Sequence, residues 1–389
     1  MLDKVFQIIF LCQFICDIIS KKNTGKGGII MKRLGIMTTG GDCSGLNTAI
    51  HRIVRGATLR GWHVFGILDG TDGLCANPPA AIRLNDMTLP IENARLAGSF
   101  LHNGHAGAMN FETAAEAGRV KQFNKRLQDG LKQLKLDALI LIGGNGSLSL
   151  AWSNRETYRD LQLICIPKTI DMDMPLTERT IGFDTAVQQL TSFCDQLMLT
   201  ARSHHRWFVV QAMGRDCGQL ALHAGVAIGA SAILIPEIKF DINNLISHIK
   251  NAQTDYGIIV VSEGISLRGH SGRPADMISR KLTAAGITNR TAFPEHTQRA
   301  GDTTAADRIL ATRFADCALD AIANNETYVM TALIDGDVHT VALSDFIASG
   351  DIVRDPKIPD LMTSNAYVSP DNPLLSVAHD MGIYIGEKK

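Results

Sequence analysis

The chain has 389 residues, of which 45% are hydrophobic and 20% charged, and its 38 basic and 39 acidic side chains leave a formal net charge of -1. That length allows two cores, because a single core stops growing at roughly 250–300 residues. The near-neutral balance excludes a polyanion-coating surface, so no nucleic-acid partner is expected and any anionic ligand must be met by locally gathered arginine and lysine.

Residues 1–30 stand apart. The apolar run over 5–19 is broken by Gln7, Gln13 and Asp17 and is too short for a membrane span. Ser20-Lys21-Lys22-Asn23 after it offers no signal-peptide cleavage site. We expect an extension outside the fold, with Met31 as the natural start and no membrane partner. The eight cysteines (Cys12, Cys16, Cys43, Cys75, Cys165, Cys194, Cys217 and Cys317) form no CxxC pair and no zinc spacing. They read as reduced thiols of a cytoplasmic protein.

From residue 34 onward, strand and helix patterns alternate. A strand over 34–37 enters the turn Thr39-Gly40-Gly41-Asp42-Cys43-Ser44-Gly45, a helix follows over 46–59, and a strand over 62–68. This order predicts a right-handed parallel unit. A weaker region holds Pro78-Pro79 and the polar, glycine-broken stretch 102–107. A helix over 116–134 and a strand over 137–142 lead into Gly143-Gly144-Asn145-Gly146-Ser147 and another helix. The apolar run 161–166 reads as a buried strand, and Pro167-Lys168-Thr169-Ile170-Asp171-Met172-Asp173 follows it before Met174-Pro175 stops regular structure.

A helix over 184–203, a strand over 207–212, the loop Met213-Gly214-Arg215-Asp216-Cys217-Gly218 and a helix over 219–230 continue the alternation. Next come a strand over 232–235, a helix over 242–252, a strand over 256–262 and helices over 275–285 and 304–324. Strands over 328–334 and 339–343 suggest an antiparallel pair, and the tail, with Pro356, Pro359, Pro370 and Pro373, reads as irregular. The fold class is α/β, with two doubly wound, Rossmann-like domains and the active site in the cleft between them.

Chemistry concentrates at strand ends. Pro167 to Asp173 places two carboxylates at i and i+2, a hydroxyl and an ammonium at the carboxyl end of a strand, where open α/β sheets bind ligands. Those seven residues alone read equally well as a charged surface turn. The two glycine-rich loops each follow a strand and open a helix, so backbone amides and a helix N-terminus face an incoming anion. One such loop is explained by a tight turn; two favour a phosphorylated ligand. Neither is a Walker A loop, since no Lys-Ser/Thr follows.

GGDCSGLN (40–47), GGNGS (143–147), PKTIDMD (167–173), MGRDCG (213–218), Ser262-Glu263 and Glu295-His296-Thr297-Gln298-Arg299, in this order, resemble the 6-phosphofructokinase family. The resemblance runs from residue 31 to the C-terminus. It implies a donor-binding domain over 31–182 plus about 298–347, and a sugar-phosphate-binding domain over 183–297 plus about 348–389. The implied reaction moves a phosphoryl group from ATP, with Mg2+, to the C1 hydroxyl of fructose 6-phosphate, giving fructose 1,6-bisphosphate in glycolysis.

By the same resemblance, Asp171 is the general base, Thr169 and Asp173 position the phosphoryl group and magnesium, and Lys168 belongs to the catalytic stretch. Arg215 lies near the reacting centre, while Arg206 and Arg290 reach the sugar 6-phosphate from a neighbouring subunit, which implies a homodimer or homotetramer. Met213, Gly214, Glu263, His296 and Arg299 complete the sugar site. Gly41, Gly144, Asn145, Gly146 and Ser147 form the donor side, with Asn145 and Asp173 toward the metal. Each arginine alone reads as a surface ion-pair residue; the register of all four with the motifs carries the assignment.

Gly146 stands where the family leaves room for a nucleotide, whereas Lys168 is typical of pyrophosphate enzymes. The combination resembles a mixed group of ATP enzymes, with pyrophosphate as the alternative donor. Asn145 replaces a carboxylate of the family motif and removes a negative charge from the metal side. The loop His102-Asn103-Gly104-His105-Ala106-Gly107 lacks the arginine that many members use to contact both phosphates, and His105 is only partly charged at neutral pH. Thr71 replaces a tyrosine near the nucleotide. His51 replaces an effector-binding arginine although Arg55 is retained, which argues against control of the familiar bacterial kind. A sugar-phosphate-binding regulatory paralogue is the further alternative. Diacylglycerol and NAD kinases share the glycine loop but have no PKTID stretch.

Overall fold

The computed structural model describes residues 31–85, 90–104, 117–265, 272–351 and 368–386. The expected extension over 1–30 therefore lies outside the described residues, as does His105.

In chain order the elements begin β1 (Arg33–Thr38), α1 (Leu46–Leu59), β2 (His63–Ile67), α2 (Gly70–Leu74), β3 (Ala81–Leu84), α3 (Ala117–Leu134), β4 (Ala138–Gly143) and α4 (Asn145–Ser153). They continue through β5 (Gln162–Pro167), α5 (Phe183–Ser203), β6 (Trp207–Ala212), α6 (Gln219–Ala227), β7 (Ala232–Leu234), α7 (Ile242–Lys250) and β8 (Gly257–Ser262). The last are α8 (Pro274–Ala284), β9 (Asn289–Ala292), α9 (Ala305–Ala323), β10 (Val329–Ile334), β11 (Asp337–Ala342), α10 (Leu343–Asp351) and α11 (Pro373–Asp380).

The strands form two sheets. A 7-stranded sheet has the order β11-β10-β5-β4-β1-β2-β3, and a 4-stranded sheet the order β7-β8-β6-β9. The smaller sheet is wholly parallel, and the larger has a parallel centre with antiparallel pairings at both edges, β2 with β3 and β10 with β11. All six residues of β4 and of β8 are buried, as their continuous apolar runs require of strands covered on both faces. The β1-α1-β2 unit is parallel, with Leu34 opposite Val64 and Ile36 opposite Gly66.

Side chains alternate across each sheet with period 2, so each sheet feeds two cores. Leu34, Ile36, Ile140, Ile142, Ile164 and Ile166 enter the same core as Phe208, Val210, Ile258 and Val260 of the smaller sheet. Helices α1, α5, α6 and α9 fill this shared layer, whereas Leu139, Leu141 and Leu163 face a separate core under the larger sheet and Val209, Ile259 and Val261 another under the smaller. One continuous apolar layer thus fixes one sheet relative to the other. Gly56 permits the close crossing of α1 and α9, since a Cβ there would lie 2.4 Å from Leu319.

The expected elements are present with ends shifted by a few residues. Helix α6 stops at Ala227 rather than near 230 because Gly229, at φ +60°, turns the chain out of the helix. Residues 352–367 of the tail, with Pro356 and Pro359, lie outside the described residues, and within 368–386 the chain departs from the expected irregularity. Pro373 sits at the first turn of α11, where its missing N–H costs nothing, and the Asn372 side chain accepts from the Leu374 amide at 2.9 Å. The short elements α2, β3 and β9, and the helix α10, have too little periodicity to be seen in sequence. Among the described residues no helix is long and apolar enough to cross a membrane.

Candidate active site

Strands β1, β4 and β5 run in register, Thr38 opposite Ile142 and Gly143 opposite Pro167, so their carboxyl ends open on one edge. The Lys168 amide donates to Gly143 O at 3.0 Å, and the Thr39 amide to Ile142 O at 3.0 Å. The loop after β5 is then clasped by residues 180–182. The Ile181 amide donates to Pro167 O and the Thr169 amide to Ile181 O, both at 3.2 Å, while Thr180 Oγ1 donates to Thr169 O at 2.7 Å. Within the loop, Thr169 Oγ1 accepts the Asp171 amide at 3.0 Å, a local side-chain turn that fixes the carboxylate's direction.

Asp171 is 8% exposed. Burial, reinforced by the neighbouring Asp173 and opposed by Arg215, pushes its pKa up to about 6. Arg215 Nε lies 3.6 Å from Asp171 Oδ2, and Arg299 acts on the same carboxylate from further away. A carboxylate tuned toward neutrality in this way suits proton abstraction. Asp173 is likewise raised by burial, and its Oδ1 is buried with no hydrogen-bond partner.

Arg215 is presented by the loop after β6. Gly214, at φ +130°, takes a conformation reserved for glycine. Glu263 Oε1 accepts from the amides of both Gly214, at 3.1 Å, and Arg215, at 2.8 Å. The Met213 amide donates to Gln298 Oε1 at 3.2 Å, and Gln298 Nε2 donates to Glu295 O at 3.0 Å. The buried Gln298 therefore joins the arginine loop to the 295–299 segment. Sequence placed Gln298 inside a motif without a role, because an amide bridging two loops leaves no signature in spacing.

Beside the first glycine turn, a cavity of about 330 Å³ is bounded by Gly40, Gly41, Asp42, Ser99, His102, Asn103 and Arg299. Gly41 allows Arg299 to approach, since a Cβ there would fall 2.8 Å from Nη1. Arg299 Nη1 is also 3.6 Å from Asp42 Oδ1. Gly143 is needed for α4 to close on the strand, because a Cβ would sit 2.5 Å from the Cβ of Ser147. Gly146, by contrast, faces open space. The N-cap of α4 is Gly144, with no side-chain cap, so no capping side chain takes the amides of Asn145 and Gly146.

Lys168, expected in the catalytic stretch, is buried. It is 2% exposed, its Nζ donates to the Gly41 carbonyl, and burial lowers its pKa. Its ammonium holds the glycine turn at Gly41 from beneath. Arg206 and Arg290 are not brought to Asp171 within the chain. Arg206 precedes β6 and Arg290 pairs with Phe208 near the start of that strand, whereas Arg215 follows its end. Six strand residues at about 3.3 Å each put Arg206 roughly 20 Å from the carboxyl end of β6, and the four steps from Phe208 put Arg290 roughly 13 Å from it. Arg206 Nε is buried without a partner, Arg290 Nη1 donates to Asn289 O at 2.9 Å, and His296 is exposed on a 3₁₀ turn. Ser99 and His102, lining the cavity, were not among the expected site residues.

A family model described as "Phosphofructokinase" matches residues 33–322. The chain belongs to the phosphofructokinase family. It is 36% identical over 377 residues to ATP-dependent 6-phosphofructokinase 1 of Nostoc sp., covering 92% of this chain and 99% of that protein. It is also 36% identical over 339 residues to the pyrophosphate–fructose 6-phosphate 1-phosphotransferase of Amycolatopsis mediterranei, covering 81% and 94%. The fold matches the phosphofructokinase of Saccharomyces cerevisiae with a TM-score of 0.73 at 25% identity, over 90% of this chain and 48% of that longer one. The two α/β sheets are thus those of a phosphofructokinase.

Proposed function

We propose that the protein transfers the γ-phosphoryl group of ATP to the C1 hydroxyl of fructose 6-phosphate, producing fructose 1,6-bisphosphate and ADP in cytoplasmic glycolysis. The observation that carries this reading is the buried Asp171, with its pKa raised to about 6, facing Arg215 beside a glycine-lined cavity. In the reaction Asp171 takes the C1 hydroxyl proton as the oxygen attacks phosphorus. Thr169 and the first-turn amides of α4 position the phosphoryl oxygens, and Arg215 neutralises charge that develops there. Positioning and charge neutralisation are most of what a protein supplies to phosphoryl transfer.

Magnesium fits the residues present. Mg2+ keeps several waters and phosphate oxygens and needs one or two protein ligands, and the unpartnered Oδ1 of Asp173 is such a ligand. Asp173 and the Asn145 amide oxygen would hold the ion, which when bound offsets charge on the donor phosphates. Met213, Gly214, Glu263 and His296 would line the sugar phosphate, with Arg299 reaching it from the wall of the glycine-lined cavity. Arg206 and Arg290, toward the start of β6 while Arg215 follows its end, serve a neighbouring subunit's site, so the active form is at least a dimer. The open space at Gly146 and the withdrawal of Lys168 beneath Gly41 favour ATP over pyrophosphate.

A coupled assay of the purified protein with fructose 6-phosphate and either ATP or pyrophosphate tests the reading. Turnover with ATP well above that with pyrophosphate is expected. The reverse preference overturns the donor assignment, and turnover with neither leaves a sugar-phosphate-binding role.

A further inference from the structure

Helix α5 has no capping side chain of its own. Its N-cap position is Gly182, at φ +102°, and a Cβ there would fall 2.4 Å from Cys43 Sγ of the first glycine turn, so a larger residue is excluded. The cap comes from α9 instead. Asp307, which has no solvent exposure, accepts from the Gly182 amide on Oδ1 at 2.9 Å. Its Oδ2 accepts from the Thr185 amide at 2.8 Å and from Thr185 Oγ1 at 2.5 Å. Burial pushes its pKa up to about 6, against the pull of those bonds, so at neutral pH the group is a carboxylate lying at the positive end of α5.

Two features separate this contact from an ordinary cap. The chain passes from the larger sheet to the smaller between β5 and β6 and returns between β9 and β10, and α5 and α9 are the helices of those two passages. Asp307 therefore pins one passage to the other, and the Thr304 amide adds a bond to Thr185 Oγ1 at 3.2 Å. The second feature is that Gly182 ends the clasp over the stretch that carries Asp171. Ile181 bonds Pro167 O and the Thr169 amide, Thr180 Oγ1 bonds Thr169 O, and Cys43 Sγ donates to Ile181 O at 3.4 Å. Thr169 Oγ1 in turn accepts the Asp171 amide. An unbroken run of peptide and hydrogen bonds thus leads from Asp307 through Gly182, Ile181 and Thr169 to Asp171.

We propose that Asp307 is a positioning residue for Asp171: its carboxylate anchors Gly182, and with it the clasp that keeps Thr169 and the base in place against Arg215. The inference rests on the kinase reading above. Asparagine at 307 keeps the shape of the side chain but turns one acceptor into a donor, so either the Gly182 or the Thr185 amide is left buried and unpaired. A displacement of about 1 Å at a reacting group costs up to about 100-fold in rate.

The test compares wild type, Asp307→Asn, Thr185→Val and Thr304→Ala by steady-state kinetics, thermal melting and amide hydrogen exchange read on peptides covering 167–173 and 180–185. In Asp307→Asn, kcat falls by about tenfold or more while KM for both substrates stays within about threefold, because the base moves and the binding groups do not. The Thr169 and Ile181 amides exchange about tenfold faster. Thr185→Val removes one donor to Asp307 and keeps both amides, so it gives the same changes at reduced size and serves where Asp307→Asn does not fold. Thr304→Ala removes the side chain that caps α9 at the Asp307 amide and leaves the carboxylate's bonds in place. It melts lower than wild type, with kcat within about twofold and exchange over 167–173 unchanged. Unchanged exchange over 167–173 in both Asp307→Asn and Thr185→Val, or a fall in kcat with Thr304→Ala equal to that with Asp307→Asn, overturns the proposal. Absence of turnover in wild type would instead sink the kinase reading, while the exchange data still decide whether Asp307 holds the clasp.

Discussion

Arg215 Nε stands 3.6 Å from Asp171 Oδ2 although the two residues follow strands of different sheets, β6 and β5. The site exists only while the two sheets are held together, and the shared apolar layer containing Ile166 and Ala212 does this. Packing rigidity is thereby converted into placement of a cation beside a buried base. Pre-organised charge of this kind needs no rearrangement at the moment of reaction.

Asp171→Asn removes the proton acceptor and leaves the Thr169 turn and the Arg215 loop in place. We expect kcat to fall by about 10²–10⁴, the usual worth of a positioned base, while fructose 6-phosphate binding survives. Equilibrium binding measured beside single-turnover rates checks this; near-normal turnover refutes the assignment.

The same carboxylate predicts two pH effects. With a pKa of about 6, Asp171 is ionised and competent above that value, so kcat falls about tenfold per unit on the acid side of pH 6. For stability the sign is opposite. The folded pKa lies above the ordinary 3.8, so the folded protein holds the extra proton between about pH 4 and 6, and stability present below that window is lost as pH rises through it. At roughly 1.4 kcal/mol per unit the cost of the charge at neutral pH is up to about 3 kcal/mol. Asp171→Asn should therefore melt several degrees higher than wild type at pH 7.5 and show little difference at pH 4. Equal melting shifts at both pH values would contradict the burial argument.

Asn145→Asp returns a negative charge to the first turn of α4, near the carboxylate of Asp173 in the proposed metal site. The magnesium concentration for half-maximal rate should fall several-fold, with KM for fructose 6-phosphate unchanged. Rate measured against free magnesium reads this directly. No change would place Asn145 away from the metal.

Gly146→Asp tests donor choice. A Cβ at Gly146 meets nothing within 4 Å, and the residue lies in a helical first turn where an acidic side chain is favourable by about 0.3–1 kcal/mol. The variant should fold at least as stably as wild type, yet its carboxylate repels the nucleotide phosphates. We expect KM for ATP to rise by about tenfold or more with less effect on pyrophosphate. An unaltered ATP KM would mean that the nucleotide does not pass Gly146.

The alternation of strands and helices was legible because apolar periodicity is a local property. The run Ala-Leu-Ile-Leu-Ile-Gly of β4 and the amphipathic 46–59 helix announce themselves without neighbours. Short elements such as β9 did not, since four residues of a half-exposed strand carry too little pattern. The proline-rich tail misled for a related reason: Pro373 breaks a helix interior but suits a first turn, and only the Asn372 cap shows which applies.

By itself the sequence determined the parts of the candidate site: a strand-end loop with two carboxylates, two glycine turns that each open a helix, and arginines placed in nearby motifs. Tertiary structure alone decided which parts meet and in what state. It buried Asp171 and so raised its pKa, set Arg215 against it from another sheet, drew Lys168 under Gly41, and left Arg206 and Arg290 at the far end of β6. Desolvation and contact depend on what packs around a group. That information is spread across residues as distant as Gly41, Asp171, Arg215 and Gln298, and no local pattern contains it.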